Sequence, residues 1–239
     1  MIWQIIKKEI WHNRYWTCLA LGFVLFFTIV IYMDYHLDVQ RNVLSNTKPQ
    51  YYTNSYSAYS EITGWDIWRT NYINRVMSSF SLFYFLAAIG LGILIAVNQF
   101  WVPFFTNTWK FTLHRPIKRW KILTTMIFSA VSMLTLIGCC WTVLVFKIQS
   151  ELAQAVTPTS LAEGWMFVLE GFLVYLAVAL TAFLGGKWYT SRPYPVLLLL
   201  LCLMMIWQCV SLVCASIIAM VYIVLIISVI YSKFETREF

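Results

Sequence analysis

The sequence predicts an all-α polytopic membrane protein, and three observations lead to this fold class. Hydrophobic residues make up 61% of the 239 residues and charged residues only 11%, whereas a soluble domain is about half apolar and about a quarter charged. The mean hydropathy is +0.72. Residues 196–231 contain no charged side chain at all. The same abundance of apolar and aromatic residues excludes a disordered chain.

The hydrophobic segments predict six transmembrane helices within one transmembrane domain, residues 1–239. A hydrocarbon core about 30 Å thick requires roughly 20 apolar residues of helix. The predicted spans are 17–33, 76–97, 122–146, 164–184, 196–211 and 214–231. The last two divide the uncharged stretch, which would be about 54 Å long as a single helix, and we expect a turn near 208–216. A single long, tilted helix, giving five spans, is the alternative.

The distribution of positive charge predicts the orientation of these spans. With the N-terminus in the cytoplasm, 12 of the 17 Lys and Arg residues fall in the inner segments, as the positive-inside rule requires. Six spans also place Lys233 and Arg237 inside. We therefore expect a multi-pass protein of the cell (inner or plasma) membrane with both termini cytoplasmic. The basic residues of these inner segments account for the net charge of +7. A basic surface for nucleic acid is therefore not needed to explain the charge, and we expect no nucleic-acid partner.

Three segments outside the spans have distinct predicted roles. Residues 1–16 alternate isoleucine and aromatic residues with charges, which is typical of a helix lying in the inner membrane interface; a downward continuation of the first span is the alternative. Residues 34–75 predict an extracytoplasmic cap rich in Tyr and Trp, whose rings form an interfacial belt or contact a substrate or partner. Residues 98–121 combine aromatic residues, two prolines and five basic residues, which indicates a cytoplasmic segment that contacts lipid or a soluble partner.

The spans also contain small residues at positions that favour close contact between membrane helices. Three such groups occur: Ala88, Gly90 and Gly92; Ala177, Thr181 and Gly185; and Ser211, Ala215 and Ala219. The packing that they allow is either within one subunit or between two.

The sequence lacks the common catalytic and metal-binding motifs. It has no GxxxxGK[ST] phosphate loop, and His12, His36 and His114 lie in separate segments without the spacing of metal ligands. No cluster of residues predicts an active site, so we expect no enzymatic activity, catalytic residue, metal or cofactor on this chain. Glu170 is the only acidic residue within the predicted spans. It either pairs with a polar neighbour or reaches the interface, or it lines a path between subunits.

Residues 107–119, NTWKFTLHRPIKR, resemble a signature of ABC-2 type permeases, the membrane subunits of a class of ATP-driven exporters. In that family a segment GT-x-x-x-L-L-x-x-P-x-x-R joins the second span to the third. Leu113, Pro116 and Arg119 match it, whereas Asn107 stands where Gly is usual. The acidic residue that commonly precedes the motif is missing, and either Gln99, Asn107 or no residue takes its place. The segments 5–16, 32–44 and 228–239 are similar to the family's interface helix, outward helical extension and charged tail.

The resemblance implies a half-transporter. Two subunits, identical or related, would form the path, and each would dock on a separate P-loop ATPase that binds the ATP and Mg²⁺. It assigns ATPase coupling to Thr108, Trp109, Phe111, Leu113, Arg115, Pro116 and Arg119; anchoring on lipid headgroups is the alternative for these residues. An apolar path would suit a lipid, a hydrophobic peptide or a drug-like molecule as the substrate. The alternative function is a non-transporting membrane scaffold that transmits ATPase-driven motion to an envelope partner protein.

Overall fold

The structure, a computed structural model, describes Lys7, Trp11, Arg14, Tyr15 and residues 17–26, 28–30, 32–33, 80–106, 118–151, 158–184, 193–209 and 211–236. Within these residues the regular secondary structure is helical, with no strand, which confirms the predicted all-α class for this part of the chain. The helices are α1 (Thr17–Val30), α2 (Phe80–Phe105), α3 (Arg119–Glu151), α4 (Pro158–Phe183), α5 (Tyr194–Gln208) and α6 (Leu212–Thr236).

Four of these helices are long and apolar enough to cross a membrane. They are α2 and the portions Arg119–Lys147 of α3, Leu161–Phe183 of α4 and Val213–Glu235 of α6. The 15 residues of α5 extend only about 22 Å, which is less than the roughly 30 Å of hydrocarbon in a bilayer. The four helices define a membrane-embedded, multi-pass protein, while six spans and their orientation stay predictions.

The long uncharged stretch is divided into two helices. α5 ends at Gln208, Cys209 has an extended backbone with φ −71° and ψ 124°, and α6 begins at Leu212. The Tyr222 hydroxyl of α6 donates a hydrogen bond to the carbonyl oxygen of Pro195 in α5 at 3.3 Å. The two helices therefore run antiparallel and contact each other, and the break lies within the interval 208–216.

α2 continues eight residues past the predicted boundary at Val97. Its regular bonding changes to a π turn at Val97–Trp101, where the N–H of Val102 bonds the carbonyl oxygen of Val97. Pro103 has no N–H, and its ring would clash with the carbonyl group four residues earlier in a regular helix. The π turn directly before Pro103 relieves this conflict and lets the helix continue to Phe105. Of the predicted coupling segment 98–121, residues 98–105 thus belong to α2.

α4 is the central helix of the bundle. It contacts α2, α3, α5 and α6. Within its apolar 18-residue core segment, 72% of the residues are buried, against 28% for the corresponding segment of α6. α2 and α4 approach so closely that a Cβ atom added to Gly171 would lie 2.7 Å from the carbonyl oxygen of Ala88. A Cβ atom on Gly92 would likewise meet the carbonyl oxygen of Gly171, whereas one on Gly90 would meet nothing among the described residues. Small side chains therefore set the distance between these two helices.

Candidate functional site

Glu170 lies near the middle of α4, and its side chain is only 3% exposed. The indole N–H of Trp207, near the end of α5, donates a hydrogen bond to Glu170 Oε1 at 2.9 Å. The second carboxyl oxygen, Oε2, is buried without a hydrogen-bond partner in the part of the chain that the structure describes. A buried carboxyl group costs free energy unless it is paired, and ionisable residues inside a membrane are candidate functional positions for that reason.

A chain of aromatic contacts leads from the indole of this carboxyl–indole pair into the bundle. The Phe85 ring contacts Trp207 edge-on at a centroid distance of 5.4 Å. Phe167 lies 6.3 Å from Phe85 and 5.5 Å from Trp141. Trp207 itself is 66% exposed on the outer surface of the bundle. Its indole therefore covers Glu170 on that surface, and the cluster joins α2, α3, α4 and α5.

A second buried polar cluster joins α2, α3 and α4 at the π turn. The Tyr175 hydroxyl donates to Gln99 Oε1 at 2.8 Å, and Gln99 Nε2 donates to Ser129 Oγ at 2.9 Å. The Ser129 hydroxyl donates in turn to the carbonyl oxygen of Met126 at 2.9 Å. All three polar side chains are buried. Single π turns inside helices are frequent at functional sites, and here the turn contains the residue that links the other two helices.

Sequence reasoning identified Glu170 but not this second cluster. Glu170 stands out as the only acidic residue of the predicted spans. In the sequence, Gln99 drew attention only because an acidic residue is common before the motif at 107–119. Nothing in the sequence around Ser129 or Tyr175 indicated a polar contact. Ser129 lies 30 residues and Tyr175 lies 76 residues after Gln99, so no local spacing in the sequence could connect them.

The structure describes one of the seven residues that the resemblance assigns to ATPase coupling, Arg119. Its Nη1 group donates a hydrogen bond to the carbonyl oxygen of Glu235, at the end of α6, at 3.1 Å. One turn along each helix, the hydroxyl groups of Thr124 and Tyr231 are hydrogen-bonded. The start of α3 is therefore attached to the end of α6. The other six coupling residues, from Thr108 to Pro116, lie outside the described residues.

The cysteines and the acidic residues that the structure describes show no arrangement for a metal. Among the described residues, no three His, Cys, Asp or Glu side chains come close enough to hold a metal ion. The six cysteines form no disulfide. Cys209 and Cys214, on either side of the turn between α5 and α6, have their sulfur atoms 3.4 Å apart in a thiol hydrogen bond.

Comparison of the chain with protein-family models, with curated proteins and with solved structures finds no match. The helices and buried polar positions define the class, a multi-pass α-helical membrane protein. That the chain is an ABC-2 type permease stays a prediction.

Proposed function

We propose that this chain is the transmembrane permease subunit of an ATP-driven exporter, with ATP and Mg²⁺ bound by a separate P-loop ATPase subunit. The motif at 107–119 motivates the proposal. The hydrogen bond from Arg119 to the Glu235 carbonyl group is the structural observation that supports it most directly. It attaches the C-terminal end of the proposed coupling segment to the last helix of the bundle.

A chain of aromatic contacts leads from that attachment into the centre of the bundle. Phe234 of α6 lies edge-on to Phe183 of α4 at 5.4 Å, and Phe183 contacts Phe100 of α2 at 5.2 Å. Phe100 and Phe234 are about 1% exposed. Because closely packed interiors transmit displacement rather than absorb it, a force on the coupling segment would move α3, α6, α4 and α2 together.

In this proposal the substrate path lies between two permease subunits, identical or related. Between Tyr194 and Tyr231, most of the exposed residues of α5 and α6 are apolar, which suits a lipid, a hydrophobic peptide or a drug-like substrate. Glu170 would provide a polar group on the path. Because Trp207 covers the carboxyl group, Glu170 would reach the path only after the indole moves away.

The experiment that tests the proposal is purification of the full chain from its native membrane in mild detergent, after crosslinking with nucleotide present, followed by mass spectrometry. A P-loop ATPase in stoichiometric amount supports the proposal, and a second membrane subunit identifies the pairing. The double variant Trp109→Ala with Arg115→Ala should release the ATPase or uncouple its ATP hydrolysis from transport.

A matched control lies at the opposite end of α3. Phe146 and Lys147 are exposed there, roughly 40 Å along the helix from Arg119. The double variant Phe146→Ala with Lys147→Ala likewise removes one aromatic and one basic residue and should leave the complex intact. If no ATPase is recovered with the unaltered chain, the permease proposal fails. Recovery of an envelope protein whose binding requires residues 46–64, without substrate flux, would instead support the scaffold.

A further inference from the structure

A cleft of about 260 Å³ opens between the start of α3 and the end of α6. Its lining residues are Lys118, Arg119, Trp120, Tyr231, Phe234 and Glu235. Pockets for drug-sized ligands are usually about 300–1,000 Å³. The cleft therefore has room for a compact polar group but not for a whole lipid molecule.

The charge around this cleft is mainly positive. Lys118 and Arg119 line it, and Lys121 and Lys233 belong to the same two helix ends. Glu235 contributes the opposing carboxylate. Arg presents a planar set of N–H donors that matches the oxygen atoms of a phosphate group, and Lys adds a mobile point charge. The residues thus favour an anion, and phosphate fits both kinds of donor.

Two aromatic residues indicate that the cleft lies at the depth of lipid headgroups. Trp120 is 51% exposed, and the Lys121 ammonium group lies 5.6 Å from the centre of its ring. The Tyr231 hydroxyl is hydrogen-bonded to Thr124. Trp and Tyr side chains are concentrated where apolar helices leave the hydrocarbon core, and both α3 and α6 become apolar immediately beyond this point.

We propose that this cleft binds the phosphate group of an anionic phospholipid, with Lys118 and Arg119 as its cationic ligands. Basic pockets between transmembrane helices are known to recognise anionic headgroups. Such binding requires neither an ATPase nor a transported substrate, so it goes beyond the proposed function. Free phosphate has the same chemistry, but the position at headgroup depth favours the lipid.

The test is a titration of the purified full chain in dodecyl maltoside with phosphatidylglycerol, phosphatidylcholine or inorganic phosphate, with native mass spectrometry to count bound molecules. We expect phosphatidylglycerol to bind at least about fivefold more tightly than phosphatidylcholine. Each cation near a membrane surface contributes about 1 kcal/mol to anionic-lipid binding, which corresponds to a factor of about five.

Single substitutions should raise or lower the affinity for phosphatidylglycerol in a predictable direction. Lys118→Gln removes one exposed cation and should weaken phosphatidylglycerol binding about fivefold. Glu235→Gln removes the opposing charge and should strengthen it. Lys147→Gln is the matched control, since Lys147 lies at the other end of α3 above the Tyr32 ring at 4.8 Å, and it should change nothing. Arg119→Gln should also weaken binding, but Lys118→Gln decides the question even if loss of the Arg119–Glu235 attachment prevents folding.

Three results would overturn the proposal. The first is equal binding of phosphatidylglycerol and phosphatidylcholine. The second is displacement of phosphatidylglycerol by inorganic phosphate at equal concentration, which would make the cleft a site for free phosphate. The third is a Lys118→Gln variant that keeps its lipid preference but loses a copurifying ATPase, which would make the cleft a protein-docking surface.

Discussion

The contact between α2 and α4 predicts opposite effects for two glycine-to-alanine substitutions. At Gly171 an alanine Cβ would lie 2.7 Å from the carbonyl oxygen of Ala88, 3.0 Å from its carbonyl carbon and 3.1 Å from its Cβ. Ordinary contacts begin near 3.4 Å, so the two helices must separate by about 0.7 Å. The obstacle is mainly backbone, which cannot rotate away as a flexible side chain does.

The expected magnitude follows from two opposing effects. Overpacking a tight contact costs about 1–3 kcal/mol, whereas replacing Gly by Ala within a helix gains roughly 0.5–1 kcal/mol. Gly171→Ala should therefore lower the free energy of unfolding by about 1–2 kcal/mol. Gly90→Ala introduces the same methyl group on α2, where it meets nothing within 4 Å among the described residues. It should be neutral or stabilising by up to about 1 kcal/mol.

The assay is unfolding of the purified chain in mixed micelles of dodecyl maltoside and increasing sodium dodecyl sulfate, followed by circular dichroism. A difference of about 2 kcal/mol between the two variants corresponds to a factor of about 30 in the unfolding equilibrium. If both variants unfold at the same detergent fraction, the close approach of α2 to α4 at Gly171 is wrong.

The remaining predictions concern the polar contacts and the turn between α5 and α6. Trp207→Phe keeps a ring but removes the donor to Glu170, so it should lower the free energy of unfolding by about 1–3 kcal/mol in the same assay. In a protein that already carries Glu170→Leu, the same substitution should lower it much less. Tyr175→Phe removes the donor to Gln99 Oε1 and should cost about 1 kcal/mol; a variant as stable as the unaltered chain would argue against that hydrogen bond. Oxidation with copper phenanthroline should join Cys209 to Cys214, because their sulfur atoms lie 3.4 Å apart, and thiol counting by mass spectrometry should show two fewer free thiols in a monomer.

The small residues of α2 show how far composition predicts a helix contact. The sequence indicated a narrow part of the second span at Ala88, Gly90 and Gly92. In the structure Ala88 and Gly92 lie against Gly171, whereas Gly90 has no such neighbour among the described residues. Small size is visible in the sequence. The partner that faces each small residue depends on how two helices cross, and no local pattern determines that crossing.

For the polar residues, too, the sequence predicts some positions and not the contacts that they make. A single carboxylate within apolar spans is conspicuous whatever the fold, so Glu170 could be identified from sequence, although its bond to Trp207 could not. Gln99, Ser129 and Tyr175 are ordinary residues of membrane helices when taken singly. They form a buried network only because a π turn, which the sequence did not indicate, places Gln99 between α3 and α4.

The two sides of α4 are held by different kinds of contact. Gly164 and Gly171, seven residues apart on one face, lie against Trp141 of α3 and Ala88 of α2, and Tyr175 continues that face one turn later. Glu170 precedes Gly171 by one residue, which places it about 100° around the helix, where it meets the exposed indole of α5. At the two glycines a neighbouring residue lies directly against the backbone of α4, a close contact that resists displacement, whereas a hydrogen bond to a surface indole can exchange partners. Motion within this bundle should therefore separate α5 from α4 before it separates α2 or α3, and that motion would uncover Glu170.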